Sequence, residues 1–203
     1  MRTLDCGVPQ GSVLGPLLFM IYVNDLGNCC KAGDIRIFAD DTGIFCTANN
    51  IASLINKAQN ILKNISEWFY ANKLTLNVNK TCFVIFRSVR YNHMYIPNTI
   101  SFENITINRV SKIKYLGVIF DEHLNWNNHI IDLCNKMKRL FPIFYNIRDF
   151  LSIEHTKIIY YTMIYSRIKY GSIVFGLTND GNIAKIQVVQ NGILKVLSKK
   201  KFD

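Results

Sequence analysis

The chain has 203 residues, is 49% hydrophobic and carries a formal net charge of +10. That length buries a sizeable core in one domain, or in one domain and a smaller one. Its longest apolar stretch, Val13 to Val23, is far short of the roughly 20 residues a membrane helix needs, so no membrane partner is expected, and no secretory leader is expected because Pro and Gly break the first apolar run.

The basic excess is spread evenly. Residues 1–120 carry 12 Lys+Arg against 7 Asp+Glu, and residues 121–203 carry 12 against 7. A distributed positive surface suits a polyanion such as nucleic acid, although charge alone fits a generic basic protein equally well. The six cysteines, at 6, 29, 30, 46, 82 and 134, include no C-x-x-C pair. Cys46 and Cys82 sit in apolar runs as small core residues. Neither a disulfide framework nor a zinc site is expected, which favours a reducing compartment.

In chain order, Gly7-Val8-Pro9-Gln10-Gly11 reads as a loop, because glycine and proline break any periodicity. Ser12 can cap a helix running to about Asn24 with Pro16 in its first turns. Core packing is the expected role of Leu17, Leu18, Phe19 and Ile21. Arg36 to Cys46, R-I-F-A-D-D-T-G-I-F-C, has the pattern of a β-hairpin whose tip carries Asp40 and Asp41. An Asp pair with a nearby Gly is also ordinary turn composition, so this stretch alone does not decide for chemistry.

From Ile51 to Phe69, apolar residues recur at Ile51, Leu54, Ile55, Ala58, Ile61, Leu62, Ile65, Trp68 and Phe69. They form one face of a helix, capped by Asn50, that would pack on the back of a sheet. Lys73 to Phe86 follows as strand and turn. Ser101 to Val110 reads as a hairpin with Glu103-Asn104 near its tip. Lys114 to Val118 is strand-like, Gly117 marking a bulge or a close approach. From Asp121 the texture is helical. Ile130, Cys134, Met137, Phe141, Phe144 and Ile147 repeat at three or four residues, further helices are expected over about 154–170 and 183–197, and Gly171 to Gly176 is a break with a short β-rich run. Lys199-Lys200-Lys201 reads as a solvated tail.

Two of these stretches carry a family resemblance. G-V-P-Q-G-S-V-L-G-P-L-L-F (Gly7–Phe19) followed by F-A-D-D (Phe38–Asp41) resembles motifs B and C of the reverse-transcriptase palm, in the spacing of the non-LTR (LINE-type, jockey-like) retrotransposon polymerases. Lys73–Phe86, with Trp68 before it, is similar to motif D. Tyr115-Leu116-Gly117 resembles the primer grip, and Trp126 with His129-Ile130 resembles the opening of the thumb. The resemblance is strong to about Asp121 and looser beyond.

It implies an α+β fold: a partial palm over residues 1–120, an antiparallel sheet with packed helices, followed by an α-helical thumb-like region over 121–203. It implies RNA-directed DNA synthesis, with an RNA template, a DNA primer and deoxynucleoside triphosphates as partners, and two Mg2+ ions 3.5–4 Å apart. Asp40 is then the main metal ligand and Asp41 a second ligand or electrostatic support. Pro9, Gln10, Gly11 and Ser12 line the template and the incoming nucleotide. Phe38, Ala39, Tyr115, Leu116 and Gly117 hold the primer end. Lys80 either reaches the leaving pyrophosphate or is a surface lysine ending a turn.

Motif A, with its third aspartate, and the fingers have no counterpart before Gly7. The chain is therefore expected to be a truncated polymerase, inactive alone and poorly stable because a central strand lacks its neighbour. The alternative is a non-catalytic nucleic-acid-binding protein derived from such an element. Nothing in the sequence points to a protein partner, and the resemblance fits either nucleus or cytoplasm.

Overall fold

A computed structural model describes residues 11–30, 33–91, 95–102 and 105–198. It is a mixed α+β structure in two compact units. One comprises Met1–Phe83 and Tyr95–Arg109, the other Val84–Met94 and Val110–Asp203. No helix among the described residues is long and apolar enough to cross a membrane.

The first unit opens with α1 (Gly15–Val23), which has Pro16 in its first turn. An antiparallel hairpin follows, β1 (Asp34–Phe38) and β2 (Asp41–Phe45), in the register Ile35↔Ile44 and Phe38↔Asp41. Helix α2 (Ile51–Ala71) begins where expected, with the Asn50 side chain accepting the Ser53 N–H at 2.8 Å. It ends two residues beyond Phe69. There the N–H groups of Lys73 and Leu74 donate to the carbonyls of Tyr70 and Phe69, with Lys73 at φ 53°. This is the paired-carbonyl closure that usually takes glycine.

The apolar face of α2 works as the periodicity requires. Ile61, Ile65 and Trp68 are buried with Val23, Leu26 and Cys30, and Ile35 and Ile44 from the inner face of the hairpin pack against them. Gly33 admits the chain to β1, since a Cβ there would stand 2.9 Å from both Ile61 Cδ1 and the Phe45 carbonyl. A second, three-stranded sheet has the order β3-β5-β4 (Cys82–Phe83, Ile105–Arg109, Thr99–Phe102), with β3 parallel to β5 and β4 antiparallel to it. The expected hairpin at 101–110 is thus present, although Glu103 and Asn104 lie outside the described residues.

One expectation fails in this unit. Leu17, Leu18, Phe19 and Ile21 are exposed, not core. Helix α1 is apolar on every side, and one neighbour can cover only one face. It meets the core at its C-terminal end, through Val23, while the Tyr22 hydroxyl donates to the Asn72 carbonyl.

The second unit begins with the hairpin β6 (Lys112–Tyr115) and β7 (Val118–Asp121). Arg87 joins it through an ion pair with Glu122 at 2.5 Å. Helices α3 (Asn127–Lys138), α4 (Phe141–Ile147) and α5 (Ile153–Ile159) follow. A single π-helical turn (Tyr160–Tyr165) then carries the backbone into α6 (Ser166–Lys169). Short α7 (Ser172–Phe175) and long α8 (Asp180–Leu197) complete the unit. Ile130, Met137, Phe144, Ile164 and Ile193 are completely buried in one cluster.

The β-rich run expected between Gly171 and Gly176 is instead the helical turn α7. Gly171 at φ 71° reverses the chain, and Phe175 is buried in the cluster. Tertiary burial here outweighs the β preference of Ile173 and Val174.

Candidate active site and the β6–β7 turn

The β1–β2 hairpin closes through a two-residue loop, Ala39-Asp40, beyond the last pair Phe38↔Asp41. Ala39 sits at φ 51°. A positive φ at the first loop residue fits the II′ class of hairpin turn, in which glycine is usual. A residue with a Cβ in the left-handed region holds strain of order 1 kcal/mol, at the tip where the acids stand.

Alternation along the strands separates two faces. Ile35 and Ile44 point to α2, while Asp34, Arg36, Phe38, Asp41 and Phe45 lie on the other side. On that outer face Phe38 is 63% exposed. Arg36 bridges Asp34 at 2.6 Å near the hairpin base, an exposed pair that adds little stability.

Both Asp40 and Asp41 are exposed. Among the described residues, neither carboxylate makes a hydrogen bond or an ion pair. Two adjacent, uncommitted carboxylates are a hard-oxygen donor set of the kind Mg2+ takes while keeping several of its waters. No group of three or more His, Cys, Asp and Glu gathers among the described residues, so the hairpin offers two protein ligands.

The remaining residues of the first unit are placed as follows. Gly11, at φ 84°, and Ser12 precede α1, and the Ser12 hydroxyl accepts the Gly15 N–H at 3.1 Å. Pro9 and Gln10 lie outside the described residues. Lys80 ends a 3₁₀ turn (Val78–Lys80) whose Asn77 side chain accepts the Lys80 N–H at 3.3 Å, and it is exposed. Burial raises the thiol pKa values of Cys30, Cys46 and Cys82. These cysteines stay protonated packing groups and not nucleophiles.

Tyr115, Leu116 and Gly117 belong to the second unit. Leu116 (φ 45°) and Gly117 (φ 80°) form the two-residue turn of the β6–β7 hairpin, and positive φ at both positions is the I′ pattern. This turn is fastened by a residue that periodicity alone did not single out. The Tyr170 hydroxyl donates to the Leu116 carbonyl at 2.7 Å, and a Cβ on Gly117 would come within 3.1 Å of the Tyr170 ring. Reciprocally, a Cβ on Gly171 would meet Val118 Cγ2 at 3.0 Å. The two glycines let the turn and the Tyr170-Gly171 corner interlock.

Asp121 was also missed, for want of any sequence signal besides its place after a strand. It is 5% exposed, and its carboxylate accepts the N–H groups of His123, Asn125 and Trp126 at 3.1–3.3 Å. It thereby holds Trp126 at φ 66°, where α3 starts. His129, on the first turn of α3, accepts the Ile119 N–H at Nδ1 (3.3 Å) and packs against Phe175. Burial lowers its pKa, more than Asp132 raises it. The W-x-x-H-I segment is therefore a neutral structural clamp between β7 and α3.

The hairpin tip thus presents two exposed carboxylates on a small two-stranded sheet packed against a helix. Residues 1–120 match the reverse transcriptase (RNA-dependent DNA polymerase) family, and the chain belongs to that family. Among curated proteins it is 28% identical to a probable RNA-directed DNA polymerase from the transposon X-element of Drosophila melanogaster, over 97% of this chain and 22% of that protein. It is 26% identical to the RNA-directed DNA polymerase from the mobile element jockey of Drosophila funebris, over 98% of this chain and 22% of that protein. A type-1 retrotransposable element R1 polyprotein of Bradysia coprophila is 27% identical over 64% of this chain. The chain thus spans 22% of the length of its X-element and jockey relatives. No solved structure matches it.

Proposed function

We propose that this chain supplies the motif B-to-E part of an RNA-directed DNA polymerase active site of a non-LTR retrotransposon. The observation that carries the reading is the hairpin tip, where Asp40 and Asp41 stand side by side, exposed and unengaged among the described residues. In this reading residues 1–120 are a partial palm and residues 121–203 a thumb-like region. Asp40 and Asp41 hold Mg2+, which when bound supplies activation of the primer hydroxyl and charge neutralisation of the triphosphate. The strained Ala39 and the exposed Phe38 set the tip against the primer end. Lys80 is free to swing to the leaving pyrophosphate from its exposed turn. Pro9, Gln10, Gly11 and Ser12 line the template and nucleotide. The Tyr115-Leu116-Gly117 turn, fastened by Tyr170, holds the primer strand.

Primer extension on an RNA template, with Asp40→Ala as control, tests this. Extension abolished by the substitution supports the polymerase reading. Binding without extension, unchanged by Asp40→Ala and weakened by salt, would replace it with a nucleic-acid-binding protein that has no catalytic role.

A further inference from the structure

The outer face of the segment Ile153–Lys169 has no role in the reading above. Its inner face is committed. Ile164 is fully buried, and Ile159, Tyr160, Met163 and Ile168 pack on the same cluster. Gln190 donates to the Tyr160 hydroxyl at 2.5 Å, tying the π-helical turn to α8. The backbone of the turn is further fixed by Thr162, whose hydroxyl donates to the Ile158 carbonyl at 2.7 Å. A π turn inside a helix is uncommon and tends to occur at functional positions.

On the opposite side stand Lys157, Tyr161, Tyr165 and Lys169, each four residues from the next and all exposed. In an uninterrupted α-helix a step of four residues overshoots a full turn by about 40°, so such a row would spiral away. The wider π turn falls short of a full circle over the same four residues and takes back part of that drift. The inserted residue thereby keeps the four side chains in one ridge. Tyr161 and Tyr165, 57% and 41% exposed, meet edge to face with their centroids 5.5 Å apart. Residues 153–170 contain Lys157, Arg167 and Lys169 against Glu154 alone among the acids.

We propose that the ridge Lys157–Tyr161–Tyr165–Lys169 is a stacking surface for single-stranded nucleic acid. Aromatic faces flanked by lysines take bases and phosphates of an unpaired strand with little sequence preference. The ring geometry favours a single strand over a duplex. Two rings 5.5 Å apart and 77° to one another can each receive a splayed base, but they cannot continue a stack spaced at about 3.4 Å per nucleotide. The inference rests on the polymerase reading only in taking nucleic acid as the ligand, and it uses neither Asp40 nor a metal ion.

The test is fluorescence anisotropy of the whole chain with labelled dT20, in EDTA and in magnesium. Binding is expected in EDTA, with no metal ion required, and magnesium should weaken it only as a competing cation on the phosphates. Tyr161→Leu/Tyr165→Leu should weaken binding about tenfold or more, as removal of a base-stacking ring does, while Tyr161→Phe/Tyr165→Phe stays within about twofold because the rings remain. Lys157→Gln/Lys169→Gln should reduce the slope of log affinity against log salt by about 1.4, two phosphate contacts at roughly 0.7 each. Circular dichroism melts matching wild type verify that the Leu variant is folded, and the single variant Tyr161→Leu serves if it is not. Unchanged dT20 affinity in the folded Leu variants overturns the proposal, as does no dT20 binding by the wild type. A ridge whose loss instead dissociates a dimer, seen by light scattering, overturns it in favour of self-association. Failure of the polymerase reading shows separately, as extension indifferent to Asp40→Ala.

Discussion

The two units are built on different terms. In the second, helices α3, α4 and α8 close around thirteen buried apolar residues, with Phe144, Ile164 and Ile193 fully enclosed. In the first, six buried residues hold α2 against a two-stranded hairpin, and most of α1 stands exposed. Yet the first unit carries the acid pair, Lys80 and the segment before α1. Asp40, Asp41 and Lys80 there are presented, exposed, from a strand end and turns. The second unit instead spends its polar residues on internal fastening: Asp121 on three backbone N–H groups, His129 on Ile119, Tyr170 on Leu116. The unit that presents the acid pair thus has the smaller of the two buried clusters.

The comparison breaks most visibly under large-to-small substitutions. Phe144→Ala should destabilise the second unit by about 3–5 kcal/mol, and Ile61→Ala the first by about 2–5 kcal/mol. Hydrogen exchange followed residue by residue would then show each loss confined to its own unit. Equal loss of protection in both units would mean that they unfold as one body. The first unit, with the smaller cluster, should lose protection at lower denaturant in the wild type.

A smaller effect is expected at the β6–β7 turn. Tyr170→Phe removes one hydrogen bond and should cost about 1 kcal/mol. It should also raise the exchange rate of the amides around Leu116 more than elsewhere. If the turn is unmoved in an NMR spectrum of the variant, the fastening is incidental.

His129 sharpens the comparison by pH. Burial holds its pKa below the ordinary value near 6.5 in the folded chain. The unfolded chain therefore binds the proton first as pH falls. The stability that depends on neutral His129 is fully present above about pH 6.5 and is lost progressively below it. The midpoint of thermal unfolding reported by the second unit should drop between pH 7 and pH 5, and His129→Asn, which keeps an acceptor for the Ile119 N–H, should flatten that limb. A drop of the same size in the variant would assign it elsewhere.

The smallest effect is expected on α1. Ile21 is exposed, so Ile21→Gln should change stability by less than about 0.5 kcal/mol while reducing aggregation measured by light scattering. A large loss would mean that the outer face of α1 is covered in solution.

Much of this protein was legible in order along the chain. Strict repetition at three and four residues placed α2, and Asn50 capped it because its side chain can take the Ser53 N–H. Alternation around an Asp pair placed the β1–β2 hairpin, and the G-x-P-Q-G-S and F-A-D-D stretches carried the family. Local rules sufficed there because periodicity, capping and turn chemistry act over a few residues. The same rules misjudged α1 and residues 171–176. Apolar composition states that a residue gains from burial, but not that a neighbour exists to bury it. Only the tertiary structure left Leu17, Leu18, Phe19 and Ile21 exposed, and only it turned Ser172–Phe175 into a helix by burying Phe175. The interlock of Gly117 with Tyr170 and of Gly171 with Val118 joins residues more than 50 apart in sequence. So do the hydrogen bonds from Asn182 and Thr178 to the Asn125 carbonyl. The sequence by itself determined the family and placed the acid pair on a hairpin. The fold decided which residues stand exposed at the surface, because contacts between residues distant in sequence determine which faces are covered, and the hairpin tip is not among them.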